Sequence, residues 1–406
     1  MKLSKLKKRV WPFVLSIDML RYIYAFFYKK KLVKRKIKKI SEINASYLIK
    51  NGEICDVFSP NIDGFEKHKK VVSPDIKIYI FENVVGSINS SCFYDDDNAY
   101  FDEIFSIHRA DANYASGSLI FHNKKNAIFN IKKEIIINEN CFFLGGNASF
   151  NYYHWLIEIL PKILFVNKEI IKKYKIKAIV LNDKVKEISS FMLSFAAVAG
   201  DHNLKIIFCS ENDDLKFKKI IYLSSFNSVL LNSNKNTVKL EDVVFSKSSL
   251  DILRNRVFSN KYFLNIEESK VSFPKKIFLM RGKVSGYNKR NYNENEVFEF
   301  FKDKGFEAVY AEKYSFFEQA YLFSNAEQII GPSGAFWTNL IFSSPGVIAL
   351  SWLPNSYKDF SVYSTIAKFY KVKMIFHIYN SSNELHEAYN IKVDLLWKSY
   401  KASVTI

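Results

Sequence analysis

The sequence lacks the features that are typical of disulfide-rich proteins, of zinc-binding proteins and of proteins that bind nucleotides through a glycine-rich loop. It has four cysteines in 406 residues and no CxxC pair: Cys55, Cys92, Cys141 and Cys209. Cysteines this far apart argue against a disulfide framework or a zinc site and are typical of small buried side chains in a reducing compartment. The sequence contains neither GxxxxGK[ST] nor GxGxxG, and it shows no internal repeat. The two best-known phosphate-binding loops are therefore absent.

An uninterrupted hydrophobic run is also missing. The stretch Val10–Tyr28 is long enough to approach a membrane span, but Pro12, Asp18 and Arg21 interrupt it. A spanning helix needs about 20 mainly apolar residues, and a central Asp or Arg is costly there. Lysines follow the stretch, where a secretory signal would have a small-residue cleavage site. The pattern predicts an aromatic helix that lies at a membrane interface.

Positive charge is concentrated at the N-terminal end. The net charge is +18, and residues 1–40 carry fourteen Lys or Arg against one acid, which leaves 18 − 13 = +5 for the other residues. A nucleic-acid-binding protein would place such charge on a folded recognition element, so we expect no nucleic-acid partner. We predict that residues 1–40 form a basic aromatic helical arm that binds anionic lipid. A core helix beside solvated lysines stays open as an alternative.

Length and hydrophobic patterning predict an α/β fold with two domains. A chain of 406 residues with 48% hydrophobic content is longer than a domain built on a single hydrophobic core usually is. Short apolar runs between residues 71 and 140 predict strands and hairpins, and a helix is expected over Tyr152–Tyr174. From residue 275 to 379, strand and helix patterns alternate, which is typical of a doubly wound parallel sheet. Ser315 and Glu318 have the spacing of a capping box.

The stretch "IIGPSGAFWTN" predicts a strand-to-helix turn that could hold a phosphate. Gly331 and Gly334 permit close backbone approach, and the helix expected from Ala335 would present free N–H groups and a positive dipole end. The loop after the strand "KKIFLM" adds cationic side chains to the same sheet edge: Arg281, Lys283, Lys289 and Arg290. Arginine forks suit phosphate oxygens, so the turn and the loop are predicted to converge.

Ser333 in this turn has a second interpretation as a nucleophile. Asp359 follows it, and then His377 or His386, in the chain order of α/β-hydrolases. The nucleophile elbow GxSxG requires glycine where this chain has Ala335, and Pro332 restrains the turn. The hydrolase interpretation is therefore the weaker one.

A further pair of polar residues lies in "NYYHWLIEILPKILF". His154 and Glu158 are four residues apart on one helix face, and Asn151 stands near the helix start. A carboxylate that orients an imidazole is a credible general base, although a structural histidine beside Trp155 would give the same pattern. The acidic run Asp95–Asp97 has DxD spacing but is predicted to be a solvated turn.

Taken together and in this order, these stretches resemble the glycosyltransferases of family 61. The resemblance covers residues 145–355 and includes the His154–Glu158 motif, Arg281 and Arg290, and the stretch from "SFFEQAYLFSNA" through "IIGPSGAFWTN". It implies a GT-B-like architecture of two Rossmann-like domains facing a cleft, inversion at the anomeric carbon, and no metal or other cofactor. This chain has Ser333 where many members have His, and Phe336–Trp337 where they have Gly-Leu, so the usual sugar preference is not carried over.

The resemblance also implies roles for individual residues. His154 and Glu158 would be catalytic, and Asn151 and Tyr153 would lie on the acceptor side. The nucleotide-sugar donor would be bound by these residues: Arg281, Lys283, Arg290, Glu318, Gln319, Ser333, Gly334, Ala335 and Asn339.

The sequence thus predicts an arm over 1–40, an acceptor-side domain over 41–245, a Rossmann-like nucleotide-sugar domain over 246–382 and a C-terminal helix within 383–406. The expected enzyme adds a sugar to a glycan or lipid-linked glycan of a bacterial capsular or lipopolysaccharide type. It would work peripherally at the cytoplasmic face of the plasma membrane. A serine hydrolase or acyltransferase using Ser333 and a non-catalytic, membrane-tethered assembly protein remain alternatives. The oligomeric state is not predicted.

Overall fold

The computed structural model describes residues 18–28, 30–43, 46–105, 112–200, 203–230, 239–269, 272–281, 291–380 and 388–404. The predicted mixed α/β class is confirmed, and β-strands form two large sheets. The strands are β1 Leu32–Lys39, β2 Ser46–Lys50, β3 Ile54–Phe58, β4 His68–Val72, β5 Ile76–Gly86, β6 Cys92–Tyr94, β7 Asn98–Phe101, β8 Leu119–His122, β9 Asn126–Asn130, β10 Lys133–Phe143, β11 Ala178–Asn182, β12 Lys205–Cys209, β13 Asp213–Leu223, β14 Ser228–Val229, β15 Val243–Val244, β16 Lys276–Leu279, β17 Glu307–Val309, β18 Gln328–Ile330, β19 Ile348–Pro354 and β20 Lys373–Tyr379.

Helices cover both sheets. The α-helices are α1 Asp18–Phe27, α2 Lys168–Tyr174, α3 Lys184–Glu187, α4 Ser189–Ala199, α5 Lys247–Phe258, α6 Lys261–Glu268, α7 Glu294–Lys302, α8 Phe316–Asn325, α9 Val362–Phe369 and α10 Val393–Val404. A π-helix spans His154–Ile159, and 3-10 helices span Ile40–Glu42, Leu160–Phe165, Leu240–Asp242, Ala311–Lys313, Ala335–Phe342 and Asn355–Tyr357.

The first half is built on an 11-stranded mixed sheet. Its order is β12-β11-β10-β13-β5-β6-β7-β1-β9-β8, with β2 paired to β5. The block β12-β11-β10-β13 is parallel throughout, and helices connect β10 to β11 and β11 to β12. The antiparallel hairpins β5-β6, β6-β7 and β8-β9 confirm the predicted hairpin-rich start. A parallel α/β unit is therefore extended by an antiparallel one in the same sheet.

The predicted helical arm differs from the structure in its second part. Residues Leu32–Lys39 form β1, which pairs in parallel with β7 and antiparallel with β9. Lysines at 34, 36 and 38 are exposed, whereas Val33 and Ile37 pack against buried hydrophobic side chains. In "LVKRKIKK", exposed and partly buried positions alternate with the period of two that is typical of a strand. The period is hard to recognise in the sequence because most of these residues are charged. Among the described residues of 1–40, α1 is the only α-helix, and a 3-10 helix begins at Ile40.

The second half contains the predicted parallel sheet. Its order is β17-β16-β18-β19-β20, and every neighbouring pair is parallel. Helices α7, α8 and α9 and the 3-10 helix Ala335–Phe342 connect successive strands. Ser315 caps α8 as predicted: its hydroxyl accepts from the Glu318 amide at 3.3 Å, and the Glu318 carboxylate accepts from the Ser315 amide at 2.7 Å. The predicted C-terminal helix is present as α10.

The single helix predicted over Tyr152–Tyr174 is wrong in detail. The chain forms the π-helix, then the 3-10 helix Leu160–Phe165, and then α2. Pro161 stands at the start of the 3-10 helix and lacks the N–H that a continuing α-helix would need. Asn167 then caps α2 by accepting from the Ile170 amide at 2.9 Å. The π-helix, whose turns are wider than those of an α-helix, thus ends just before Pro161, where the regular hydrogen-bond pattern must change.

The two halves share one hydrophobic core. A continuous cluster of buried side chains includes Val57, Leu156 and Ile221 from the first half and Ile329 and Phe376 from the second. All four cysteines are buried and free, as predicted. No helix in the described ranges has both the length and the apolar character needed to cross a bilayer.

Candidate active site

The turn after β18 is held close to the end of β16. A Cβ atom on Gly331 would lie 2.7 Å from the Leu279 Cβ, so only glycine allows this approach. Trp337 donates its indole N–H to the Pro332 carbonyl at 2.9 Å and fixes the turn from inside. Gly334 then precedes the 3-10 helix, which begins at Ala335. The turn thus lies at the carboxyl edge of the parallel sheet, where ligands bind in open α/β folds.

Arg281 lies beside this turn, as the sequence predicts. Its guanidinium donates to the Ser333 carbonyl, and its backbone N–H donates to the Glu294 carboxylate at 2.7 Å. The strand end, the turn and the start of α7 are therefore tied together through one arginine. The first N–H groups of a helix have no partner within that helix, so Ala335 adds positive potential next to the guanidinium.

His154 and Glu158 form the contact that their spacing predicts. The imidazole Nδ1 lies 2.7 Å from a Glu158 carboxylate oxygen, and both side chains are about nine-tenths buried, with 10% and 12% exposed. The other carboxylate oxygen accepts from the Val229 amide at 2.9 Å. With Nδ1 donating to the ionised carboxylate, Nε2 carries the lone pair. That nitrogen can accept a proton from a hydroxyl group.

A chain of hydrogen bonds links the His154 segment to the turn region. The Tyr152 hydroxyl donates to the Asn339 side-chain oxygen at 2.8 Å, and the Asn339 amide donates to the Gln319 side-chain oxygen at 3.1 Å. Gln319 in turn donates to the Tyr314 carbonyl at 3.0 Å. Tyr152 precedes the π-helix, and Asn339 lies in the 3-10 helix that follows the Gly331 turn. The two segments that carry the predicted clusters are therefore joined by a direct side-chain hydrogen bond.

Other predicted site residues have structural partners. Asn151 accepts from the Tyr153 amide at 3.0 Å and so supports the start of the π-helix. Tyr153 is buried, and burial, with the negative charge of Glu158 as a lesser cause, raises the pKa of its hydroxyl well above the usual range. The Glu318 carboxylate caps its own helix. Lys283 and Arg290 lie outside the described residues.

The residues of the hydrolase interpretation do not assemble around Ser333. Asp359 pairs with Lys67 at 2.7 Å, and His377 Nδ1 lies 3.2 Å from the Ser399 hydroxyl. Neither is hydrogen-bonded to Ser333 in the ranges that the structure covers, and His386 lies outside them.

The acidic run forms the predicted turn. It lies between β6 and β7, where Asp95 accepts from the backbone amides of Asp97 and Asn98 at 2.9 and 2.7 Å. Across the described ranges, no group of three or more His, Cys, Asp or Glu side chains is placed to hold a metal ion.

A buried polar cluster behind Glu158 was not predicted. Lys162 is 2% exposed and donates to the Ser225 hydroxyl at 3.0 Å. Asp102 is fully buried and accepts from the Tyr222 hydroxyl and the Ser225 amide, both at 2.7 Å. One local signal was available: Lys162 is the only charged residue in "ILPKILF", four positions after Glu158. Asp102, in contrast, comes from a distant hairpin.

Comparison with known protein families agrees with this geometry. Residues 152–350 match the family model Glycosyltransferase 61, a range that contains His154, Glu158, Arg281 and the Gly331 turn. Over this segment the chain therefore matches glycosyltransferase family 61. The match supports glycosyl transfer as the activity, with a sugar donor and an acceptor as substrates. No curated protein sequence matches the chain significantly.

Proposed function

We propose that the protein is an inverting glycosyltransferase that uses a nucleotide-sugar donor and extends a surface glycan of the capsular or lipopolysaccharide type. One observation carries the proposal. A turn beside Arg281 that is suited to a diphosphate and a buried His–Glu pair suited to a general base lie in segments that the Tyr152–Asn339 hydrogen bond joins. Transfer with inversion needs these two functions side by side.

The reaction follows from the two clusters. His154 Nε2 takes the proton of the acceptor hydroxyl as its oxygen attacks the anomeric carbon. The bond from that carbon to the diphosphate oxygen breaks, and the nucleoside diphosphate leaves with the electron pair. Arg281 and the helix start at Ala335 stabilise the negative charge that develops on the leaving group. In this proposal they supply the positive charge that a metal ion supplies in other transferases.

The finer architecture belongs to the same proposal. The five-stranded parallel sheet would bind the nucleotide, and the parallel block β12-β11-β10-β13 would support the acceptor side. This arrangement is GT-B-like, with the antiparallel hairpins as an addition to the first domain. The predicted donor contacts of Lys283 and Arg290 remain part of the proposal.

We also propose that the protein works at the cytoplasmic face of the plasma membrane as a peripheral protein. On α1, Met19, Ile23 and Phe27 are spaced four residues apart and are 67%, 44% and 74% exposed. The neighbouring strand β1 presents Lys34, Lys36 and Lys38 to solvent. An apolar helical stripe beside a row of lysines suits a surface of anionic lipid. A lipid-linked acceptor would be found on the same surface.

A ligand screen by thermal shift tests the nucleotide proposal. UDP, GDP, CMP, dTDP and their sugars would be added with and without EDTA. A ligand at about 100 times its Kd should add roughly 2.7 kcal/mol to the free energy of unfolding. We expect a shift with one nucleotide class that EDTA does not change.

The variant R281K provides the matched control. It keeps the charge but loses the planar fork, so its shift with the same ligand should be clearly smaller. No shift with any nucleotide in the wild type would remove the basis for the proposal. A shift that EDTA abolishes would contradict its metal-independent form.

A further inference from the structure

A cavity of about 340 Å³ lies between helix α5 and two turns of the second half. Helix α5 contributes four polar side chains at positions 247, 251, 254 and 255, and this spacing of i, i+4, i+7 and i+8 puts them on one helix face. The turns form the other wall, with residues 343 and 345 before β19 and residues 369–371 before β20. Ligand pockets in proteins measure roughly 300–1,000 Å³, so this cavity suits a small molecule.

The cavity is separate from the candidate active site. Both turns precede their strands and so lie at the amino edge of the parallel sheet, whereas the Gly331 turn follows β18 at the carboxyl edge. The 3-10 helix Ala335–Phe342 begins beside the Gly331 turn and ends at Ser343. At about 2 Å per residue, its 8 residues put roughly 16 Å between its two ends.

The lining of this cavity is positively charged. It holds three cations and one carboxylate, a formal charge of 3 − 1 = +2: Lys247, Arg254, Lys371 and Asp251. Lys247 and Asp251 pair with each other at 2.7 Å, so the charges of the other two residues are left uncompensated. Lys371 is exposed, and within the described ranges its side chain forms no ion pair or hydrogen bond. The cavity therefore attracts anions.

Arg254 is held in place while only part of its hydrogen-bonding capacity is used. Its Nη1 donates to the carbonyls of Ile341 and Ser343, the second at 3.0 Å. The centroids of the Phe258 and Tyr370 rings lie 4.6 and 4.9 Å from its Cζ. In the part of the chain that the structure describes, its Nε and Nη2 have no hydrogen-bond partner. A guanidinium fixed in this way is prearranged to bind an oxyanion.

Two buried hydroxyl groups of the lining also lack partners. Ser343 is 0% exposed, and its hydroxyl has no hydrogen-bond partner among the described residues. The same holds for the buried Tyr370 hydroxyl, although the Asp251 carboxylate lies near it. An unpaired buried hydroxyl is unfavourable, and an oxygen of a ligand in the cavity would supply the missing acceptor.

We propose that this cavity binds the phosphate group of a small phosphorylated molecule. A phosphate monoester carries about −1.5 to −2 charges at pH 7 and has three acceptor oxygens, which matches a lining that offers donors and a charge of +2. Arg254 and Lys371 would neutralise the phosphate, and Ser343 would donate its hydroxyl hydrogen. This site is additional to the nucleotide-sugar site and does not depend on the proposed function.

Isothermal titration with inorganic phosphate and with glucose 1-phosphate tests the site, at low ionic strength because salt screens an exposed lysine. K371N removes one charge, and asparagine tolerates the left-handed backbone of Lys371, whose φ is 56°. S343A removes the buried hydroxyl. Each variant should bind phosphate roughly tenfold more weakly, as expected for the loss of one hydrogen bond to a charged group. Without phosphate, S343A should keep the wild-type Tm, because its hydroxyl has no partner to lose.

K175N is the matched control. Lys175 is also an exposed lysine at the end of a helix, with a φ of 53°, and it does not line the cavity. R281K is the control for phosphate bound at the Gly331 turn. Both variants should bind phosphate at this cavity as tightly as the wild type does.

The outcomes decide between specific and non-specific binding. Equal phosphate affinity in the wild type, S343A and K371N would overturn the site, as would binding that sodium chloride reproduces or a loss confined to R281K. Vesicles of phosphatidylcholine with and without phosphatidic acid distinguish the two sources of a phosphate group. If the ligand is a lipid headgroup, K371N also weakens vesicle binding; if it is a soluble molecule, K371N weakens only phosphate binding.

Discussion

At the scale of single residues, Glu158 determines which nitrogen of His154 is free. Its two oxygens have different tasks: one contacts Nδ1 at 2.7 Å, and the other accepts from the Val229 amide at 2.9 Å. The carboxylate can accept but not donate, so it requires the proton on Nδ1. The tautomer is therefore set by a side chain that need not touch the substrate.

The variant E158Q tests this role. With its oxygen retained by the Val229 amide, glutamine would present an N–H to Nδ1, which moves the imidazole proton to Nε2 and removes the acceptor. We expect kcat for transfer to fall by about 10²–10⁴-fold, the usual contribution of general base catalysis. Nucleotide binding, followed by thermal shift, should be unchanged. A variant that keeps wild-type kcat would contradict the assignment of His154 as the base.

Lys162 also predicts how stability depends on pH. Its pKa is about 8 in the folded chain and 10.5 without burial, so between these values the unfolded chain holds more protons. The free energy of unfolding should therefore rise with pH across this window, by at most about 1.4 kcal/mol per pH unit.

Cysteines and tyrosines titrate in the same pH window and also change the free energy of unfolding. Their contribution cancels when the wild type is compared with a variant that lacks Lys162. The free energy of unfolding of the wild type minus that of K162M, from denaturant titrations between pH 8 and 10, should increase with pH. Parallel curves for the two proteins would show that Lys162 does not change its charge in this range.

At the scale of elements, the structure changes how the membrane proposal has to be tested. Deleting residues 1–40 would remove β1 from between β7 and β9, and the sheet would lose two of its pairings. Loss of vesicle binding after such a deletion would not be informative. Substitutions on the exposed face of α1 leave the sheet intact.

We predict that the triple variant M19Q/I23Q/F27Q binds phosphatidylserine vesicles at least roughly tenfold more weakly, because each side chain loses apolar area that would enter the interface. Co-sedimentation at two salt concentrations measures it, and transfer to a soluble acceptor should be retained. The control triple I54Q/F65Q/V72Q removes exposed apolar side chains from another part of the surface. Equal vesicle binding by all three proteins would refute the anchor.

The elements that the sequence predicted well are those with a strong local signal. The parallel sheet of the second half follows from apolar runs bounded by turn residues, and α8 follows from its capping box. Strand β1 was missed because alternating lysines resemble a solvated charge run. The turn at Gly331 and the His154–Glu158 pair were recognised from short-range spacing. The Tyr152–Asn339 bond joins residues 187 positions apart, and no local pattern indicates it.

At the scale of the whole molecule, the halves are bound to each other beyond the candidate site. The β3-β4 hairpin of the first half contacts the second: Phe58 accepts from Ser364 at 2.6 Å and donates its N–H to Thr365 at 3.0 Å. Asn61 accepts from the Phe376 amide on β20 at 2.8 Å. Together with the shared core, these contacts lead us to expect that the two halves unfold as one cooperative unit.

We therefore predict a single calorimetric transition, with a van't Hoff enthalpy equal to the calorimetric one. The isolated segment 239–404 should not fold, because it would expose the core surface that the first half covers. Two separated transitions would show instead that each half is stable alone. The double variant S364A/T365V, which removes the hydroxyls facing Phe58, should lower Tm without splitting the transition.

The place of β1 in the sheet affects protein synthesis. Its partner strands lie at residues 98–101 and 126–130, so β1 is translated before either of them. Until those strands are made, β1, which is basic and partly apolar, has neither of its partner strands. The order of translation thus requires this part of the sheet to form late, after residues 126–130 have been made.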